Sequence, residues 1–427
     1  MRSVFVRTLV KQVFMLILIL GLAFSVSAQD VVTIEYWHIN SAILGAKAVE
    51  QSVARFQELN PNIKVIERFQ EGDYGGLLNN LQAAIAAGNP PAVAQVGYNF
   101  RLFAFEQLPH KLIADFAATD PDYAAYLESF IEGIPGLGQD GTGLQRAIPL
   151  AISVPVLYYN ADLFKAAGLD PDQPPRTWDE LREAALTIKR ETGEYGLGIQ
   201  VQPNNNWLPQ SMIESNGGWI LDPQGLPQVS SPEVVEVYEL WQKMAIEDQS
   251  LPVVTDTEQE QAFMGGRLGM YLKTSAAMKT ISNQAAFDLR TGPFPSWGDK
   301  QRRLASGGNA LFIFAKDEVQ QQAAYEFIKF LTSKEGQTIW VLDTGYLPLA
   351  QGVQDDPKYL ADYFAENPLT KAALDQLPNA VAWLPFPGPR GFEAEQVLVE
   401  AREAILNGEP VQAALENAQS RLERLLN

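Results

Sequence analysis

The chain has 427 residues, 46% of them hydrophobic, with 32 Lys and Arg against 51 Asp and Glu, two histidines and no cysteine. This apolar share suits a globular protein of two or three domains, and the lack of cysteine excludes disulfides, thiol nucleophiles, iron–sulfur clusters and thiolate zinc sites. His38 and His110 alone cannot build a multi-histidine metal centre, and a net charge of −19 argues against nucleic acid as a partner.

Arg2, Arg7 and Lys11 are the only charges before Asp30. They flank an apolar run from Val13 to Phe24, which leads into the small-residue tripeptide Val26-Ser27-Ala28. A basic start, a short apolar stretch and a small-x-small end read as a secretory signal over residues 1–28, cleaved near Ala28. The run is too short for a membrane span, which needs about 20 apolar residues. With no cysteine for lipid attachment, a free periplasmic protein, not a lipoprotein, is expected. Losing three basic residues takes its charge from −19 to −22, which disfavours anionic lipid surfaces.

Val31 to Trp37 is β-branched and aromatic and predicts a first strand. Ala46 to Leu59 sets Val49, Val53 and Phe56 at helical spacing, and Asn60-Pro61-Asn62 stops the helix. Ile63 to Ile66 reads as a second strand. Leu77, Leu78, Leu81 and Ile85 form a second helix, ended by Gly88-Asn89-Pro90-Pro91, and Ala92 to Val96 forms a third strand. This alternation implies βαβ crossovers and a mostly parallel, doubly wound α/β sheet. A further strand is predicted at Val154 to Tyr159, before a Pro-rich turn at Pro171 to Pro175. Thr177-Trp178-Asp179-Glu180 is a capping box that opens a helix running to about Glu191.

Enzyme chemistry finds little support. So many acids allow almost any carboxylate pair to be drawn, so a glycosidase reading has no specific signal. Gly265-Gly266 and Gly307-Gly308 match neither a phosphate-cradling loop nor a dinucleotide fingerprint. Ser153, Thr274, Ser275 and Ser306 lack a histidine base in any nucleophile motif. Trp207, in Asn204-Asn205-Asn206-Trp207, stands in a polar stretch where core burial and an exposed stacking role both remain open. Arg390, in Pro387-Gly388-Pro389-Arg390-Gly391, reads as a residue of a rigid turn with no acid at helical spacing. A surface arginine and an anion clamp are both open for it.

Several blocks in order carry a family resemblance: Trp37-His38, Arg55-Phe56 through Asn60-Pro61, Val156-Leu157-Tyr158-Tyr159-Asn160 and Thr177-Trp178-Asp179-Glu180-Leu181. They continue with Phe263 to Met270, Phe327-Ile328-Lys329-Phe330-Leu331 and Gly345-Tyr346-Leu347-Pro348. Nearly end to end, the chain resembles the extracellular solute-binding proteins of ABC importers, the family that includes maltose-binding proteins. Tyr74 after a Gly-Asp turn, the Gly88-Asn89 to Gln95-Val96 strand entry, Gly307-Gly308 and a lone late arginine resemble its sn-glycerol-3-phosphate-binding branch.

That resemblance implies a two-lobed periplasmic-binding-protein fold, each lobe a mostly parallel sheet flanked by helices, with the ligand cleft between them. Lobe 1 is expected over 30–148 and 308–350, lobe 2 over 151–305 and 352–427. It implies that Tyr74, Ser153, Ser275 or Thr274, Gly308, Tyr346 and Arg390 surround a phosphate while Trp207 packs on glycerol. Where the branch has a Tyr-Glu pair after Gln-Val, this chain has Gly97-Tyr98. A phenol replaces a diol-binding carboxylate there, so a glycerophosphodiester or a sugar enters beside glycerol-3-phosphate. The implied partners are a small-molecule ligand and the permease transmembrane subunits; no cofactor, catalytic residue or metal is implied, and a monomer is expected. Two alternatives stand: a sugar receptor stacking ligand on Trp37, Tyr98, Trp207 and Trp383, and a secreted hydrolase with a carboxylate pair.

Overall fold

A computed structural model describes residues 31–41, 45–201, 206–222, 224–388 and 390–426. The expected signal over 1–28, and Asn204 and Asn205, lie outside the described residues.

The chain opens with strand β1 (Val32–His38), helix α1 (Ala46–Leu59), β2 (Ile63–Phe69), α2 (Asp73–Ala86) and β3 (Val93–Gly97). This is the predicted alternation. Helix α1 buries Ala48, Val49, Ser52, Val53 and Phe56 on one stripe, as the helical period requires, and its Phe56 ring meets Phe327 edge-on at 5.0 Å. Further on come β4 (Ile148–Ser153), β5 (Pro155–Asn160), α3 (Trp178–Thr192), β6 (Tyr195–Ile199), α4 (Trp207–Ser215), β7 (Leu268–Thr274) and β8 (Leu289–Gly292). After β9 (Leu304–Ala305), β10 (Gly307–Ile313) and β11 (Ala380–Val381), the chain ends in α5 (Gly391–Leu406) and α6 (Val411–Leu426). The capping box forms as predicted: Thr177 accepts from the Glu180 N–H while Glu180 accepts from the Thr177 N–H.

The strands build two main sheets, ordered β2-β1-β3-β10-β4 and β6-β7-β5-β8. The expectation of mostly parallel sheets is corrected to mixed ones. β1 runs parallel to β2 and β3, but β10 lies antiparallel between β3 and β4. In the second sheet β6 and β7 are parallel while β5 is antiparallel to both neighbours. The physical reason is connectivity. A βαβ crossover forces parallel pairing only between strands it joins, whereas β10 arrives from β9, outside the first sheet.

The predicted strand at 154–159 is in fact the second of two. The run from Ile148 to Asn160 is buried throughout, and the chain leaves the first sheet at Ser153 and enters the second at Pro155. It returns near Ser306, whose hydroxyl donates to the Val381 carbonyl at 2.7 Å. Later, Leu347 bridges antiparallel to Ile152. Two α/β lobes thus meet along several short crossings. Among the described residues no helix is long and apolar enough to cross a membrane.

Candidate functional site

A cavity of about 800 Å³ opens where strand ends of both sheets converge, lined among others by Tyr74, Ser153, Gln200, Trp207, Thr274, Gly308 and Tyr346. Ligand sites of α/β proteins favour such positions beyond strand ends, and the volume falls within the range of small-molecule clefts.

Glycines set the cavity floor. A Cβ on Gly97 would sit 2.7 Å from the Tyr74 ring, and one on Gly307 would sit 2.6 Å from the Ser153 hydroxyl and 3.4 Å from the Trp207 ring. Both absences let a wall side chain lie flat on a strand end. Gly308, at φ 121°, stands beside the register shift at Asn309 and Ala310 where β10 pairs with β4. A non-glycine residue there would be strained.

At this floor Asn309 Nδ2 donates to the Tyr74 hydroxyl at 2.8 Å, and Tyr346 lines the cavity beside it. With its oxygen accepting from Asn309, the Tyr74 hydroxyl keeps its own proton to donate. Burial pushes both phenols above their usual range, so they remain O–H donors.

Three acids line the cavity, and each is already engaged. The Asp73 carboxylate accepts from the Gly75 N–H at 2.7 Å, and Glu260 pairs with the buried Lys273 ammonium at 3.0 Å. Glu395 accepts from the Asn206 N–H at 2.6 Å. No Lys or Arg lines the cavity among the described residues.

Burial pushes the Glu395 carboxyl up to about 7, against the opposing pull of the Asn206 donors and Arg402. A folded-state value above the unfolded 4.5 means a stability contribution present below about pH 4.5 and lost as pH rises through 7. The parent should therefore lose about 2 kcal/mol more stability between pH 5 and pH 8 than Glu395→Gln does. Denaturant melts at the two pH values measure the difference; parallel curves would remove the argument.

Of the nine residues implied from the sequence, six line the cavity: Tyr74, Ser153, Trp207, Thr274, Gly308 and Tyr346. Ser275 does not; its hydroxyl accepts from the Val154 N–H at 3.2 Å and stitches the strand crossing. Tyr98 is 1% exposed and does not line the cavity. Arg390 is exposed, and its guanidinium pairs with Glu393 at 2.7 Å. The reading that no acid stands at helical spacing is thus corrected: α5 begins at Gly391, which puts Glu393 three residues on. Gly388 and Gly391 on either side of it do line the cavity. Trp207 starts α4 and is 5% exposed, its ring 6.5 Å from Trp383.

The sequence reading missed Asn309, Gln200 and Glu395. Asn309 carried a signal, a lone amide heading an otherwise apolar strand. Gln200 and Glu395 carried none, since each gains its place from tertiary folding. The aromatic pair Phe100 and Phe392, both cavity-lining, meet at 5.1 Å; they bring the first lobe's strand-end turn against the start of α5.

Comparison with known proteins gives the setting. A model of bacterial extracellular solute-binding proteins matches residues 51–368. The chain is 28% identical over 438 aligned residues to the sn-glycerol-3-phosphate-binding periplasmic protein UgpB of Escherichia coli (strain K12), covering 96% of each. In fold it is similar to the UgpB of Mycobacterium tuberculosis in complex with glycerophosphocholine (TM-score 0.80, 24% identity, 92% of this chain and 98% of that one). It is equally similar to the cyclic alpha-maltosyl-1,6-maltose binding protein of Arthrobacter globiformis (TM-score 0.80, 23% identity, 92% and 99%).

Proposed function

We propose a glycerol phosphate ester as the ligand of this chain, which belongs to the bacterial extracellular solute-binding protein family and is the substrate-binding component of an ABC importer. The observation that carries the reading is a set of neutral donors lining one cavity: the Tyr74 hydroxyl held by Asn309, with the Tyr346, Ser153 and Thr274 hydroxyls. Neutral donors in a dry site hold phosphate oxygens if each oxygen finds a partner. The about 800 Å³ cavity exceeds the needs of glycerol-3-phosphate alone, which favours a glycerophosphodiester with a second group on the aromatic walls. In this reading the protein is exported after cleavage near Ala28 and works as a periplasmic monomer. Its two lobes close on the ligand, and it delivers the ligand unchanged to the permease.

The aromatic walls, with Trp207, Trp383, Phe100 and Phe392, favour a second reading as an oligosaccharide receptor. Calorimetry with sn-glycerol-3-phosphate, glycerophosphocholine and maltose separates the two. Binding of the phosphate esters without maltose supports the first reading, and the reverse replaces it with the second.

Arg390 takes the role of a charge at the cavity rim, since its guanidinium is solvated and held by Glu393. Rim charges act mainly on association rate and salt dependence. Arg390→Ala should slow association with a phosphate ester by about three- to ten-fold at low salt, with little change in dissociation. Stopped-flow rates across ionic strength test this; a loss confined to dissociation would put Arg390 on the bound ligand instead.

A further inference from the structure

The start of α5 brings a different chemistry to the cavity from the neutral donors around Tyr74. Gly391, Phe392, Glu395 and Gln396 all line it, a spacing of three and four residues that turns one helix face toward the ligand space. The helix comes this close because Gly391 rests on the Phe386 carbonyl oxygen, where a Cβ would stand at 2.4 Å. Phe392 is 54% exposed, and its ring meets Phe100 at 5.1 Å with the planes 52° apart.

The three lining acids differ in what surrounds their charge. Glu260 has the Lys273 ammonium at 3.0 Å, and Asp73 is exposed to solvent. Glu395 has neither form of compensation. Asn206 fixes its Oε1 with the backbone N–H at 2.6 Å and the side-chain amide at 3.1 Å. Arg402 donates to Asn206 Oδ1 at 3.4 Å and does not line the cavity. Among the described residues no ion pair reaches Glu395, and its Oε2 accepts from no donor.

A carboxylate held by one oxygen, with the other open, selects its ligand. A diol clamp needs both oxygens as acceptors, and Asn206 already occupies one. A cation is drawn by the whole charge and needs no particular lone pair. Aromatic faces add to that attraction, and no Lys or Arg among the described residues lines the cavity to compete. The same carboxylate repels a free phosphate dianion, whereas a zwitterionic diester brings its own counter-charge.

We propose that Glu395 determines specificity for the second group of the ligand, and that this group is an organic ammonium, taken up by the Glu395 carboxylate with the Phe392 and Phe100 rings. The proposal rests on the phosphate-ester reading of the same cavity: the neutral hydroxyls take the phosphodiester, and the start of α5 takes its cationic end.

The test is calorimetry on the mature protein with glycerophosphocholine and glycerophosphoglycerol, two diesters that share a phosphate and a glycerol and differ in the charge of the second group. It is run at pH 8, above the Glu395 value of about 7. The parent should bind glycerophosphocholine more tightly. Glu395→Gln keeps an acceptor for Asn206 and removes the charge, so it should weaken glycerophosphocholine by about 5- to 30-fold and leave glycerophosphoglycerol within about two-fold. Phe392→Leu, at an exposed position, should weaken glycerophosphocholine alone by about two- to five-fold. An equal loss for both diesters in Glu395→Gln is the mark of a structural or hydroxyl-accepting carboxylate and overturns the proposal, as does an unaltered affinity for glycerophosphocholine. If Glu395→Gln does not fold, Phe392→Leu carries the test, and an unchanged preference between the diesters overturns it. A parent that binds neither diester nor sn-glycerol-3-phosphate overturns the function proposed above, whereas a parent that binds glycerophosphoglycerol as tightly as glycerophosphocholine overturns this proposal alone.

Discussion

Gly308→Ala is expected to destabilise the protein by more than about 3 kcal/mol and to abolish ligand binding. The added Cβ would lie 2.1 Å from the Ala151 carbonyl oxygen, and the backbone atoms of a paired, buried strand cannot step aside as a side-chain tip can. The residue's φ of 121° adds strain for any L side chain. Relief requires β10 to separate from β4, which breaks the floor between Ser153 and Asn309. Two controls divide the effect. Gly298→Ala keeps a positive φ of 56° with nothing within 4 Å of the new atom, so it should cost only about 1 kcal/mol. Gly307→Ala meets the Ser153 hydroxyl and the Trp207 ring instead of backbone, so it should harm binding more than stability. Melting curves and calorimetry on the three variants check the order, and a Gly308→Ala protein as stable as Gly298→Ala would show that β10 relaxes without cost.

Local chemistry decides which parts of this architecture are legible in a sequence. The helix from Ala46 to Leu59 is announced by its apolar stripe and stopped by Asn60-Pro61, and the Thr177–Glu180 box writes its own start. Both signals lie within four residues of the structure they cause. The change of sheet at Val154 has no such mark. Ile148 to Asn160 is buried on both faces throughout, so strand periodicity is erased where the chain passes between lobes. The antiparallel entry of β10 is set by which lobe the chain last visited, a property of the whole path. The same split runs through the site. Tyr74, Ser153, Gly308 and Tyr346 are recognisable by family resemblance because each lies at an element end, two on strands and two at helix termini. Glu395 looks like any other acid among 51; only its place at the cavity wall sets it apart, and that is a tertiary fact. Arg390 failed in the opposite direction. Its partner Glu393 stands three residues on in plain view, but without the helix start at Gly391 the spacing meant nothing.

Trp207→Ala should lower both stability and affinity, and the pairing of the two losses is what identifies the residue's place. The indole is 5% exposed, rests on Gly307 and leans toward Trp383, yet it also forms cavity wall. Removing a buried tryptophan from a packed core costs about 3–5 kcal/mol. Here the void adjoins the cavity instead of being closed on all sides, so about 2–3 kcal/mol is the fitting expectation. Ligand contact adds a separate term of about 1–3 kcal/mol for the lost apolar surface, which is roughly 5- to 150-fold in Kd. Trp207→Phe separates the terms, since a phenyl ring keeps most of the contact with Gly307 while giving up the reach toward Trp383. It should restore most of the stability and part of the affinity. A core-only tryptophan would give Trp207→Ala a lower melting temperature at unchanged Kd. A ligand-only one would give a weaker Kd at unchanged melting temperature. The geometry demands both, because the face of the ring that packs on β10 and the face that borders the cavity belong to one rigid indole.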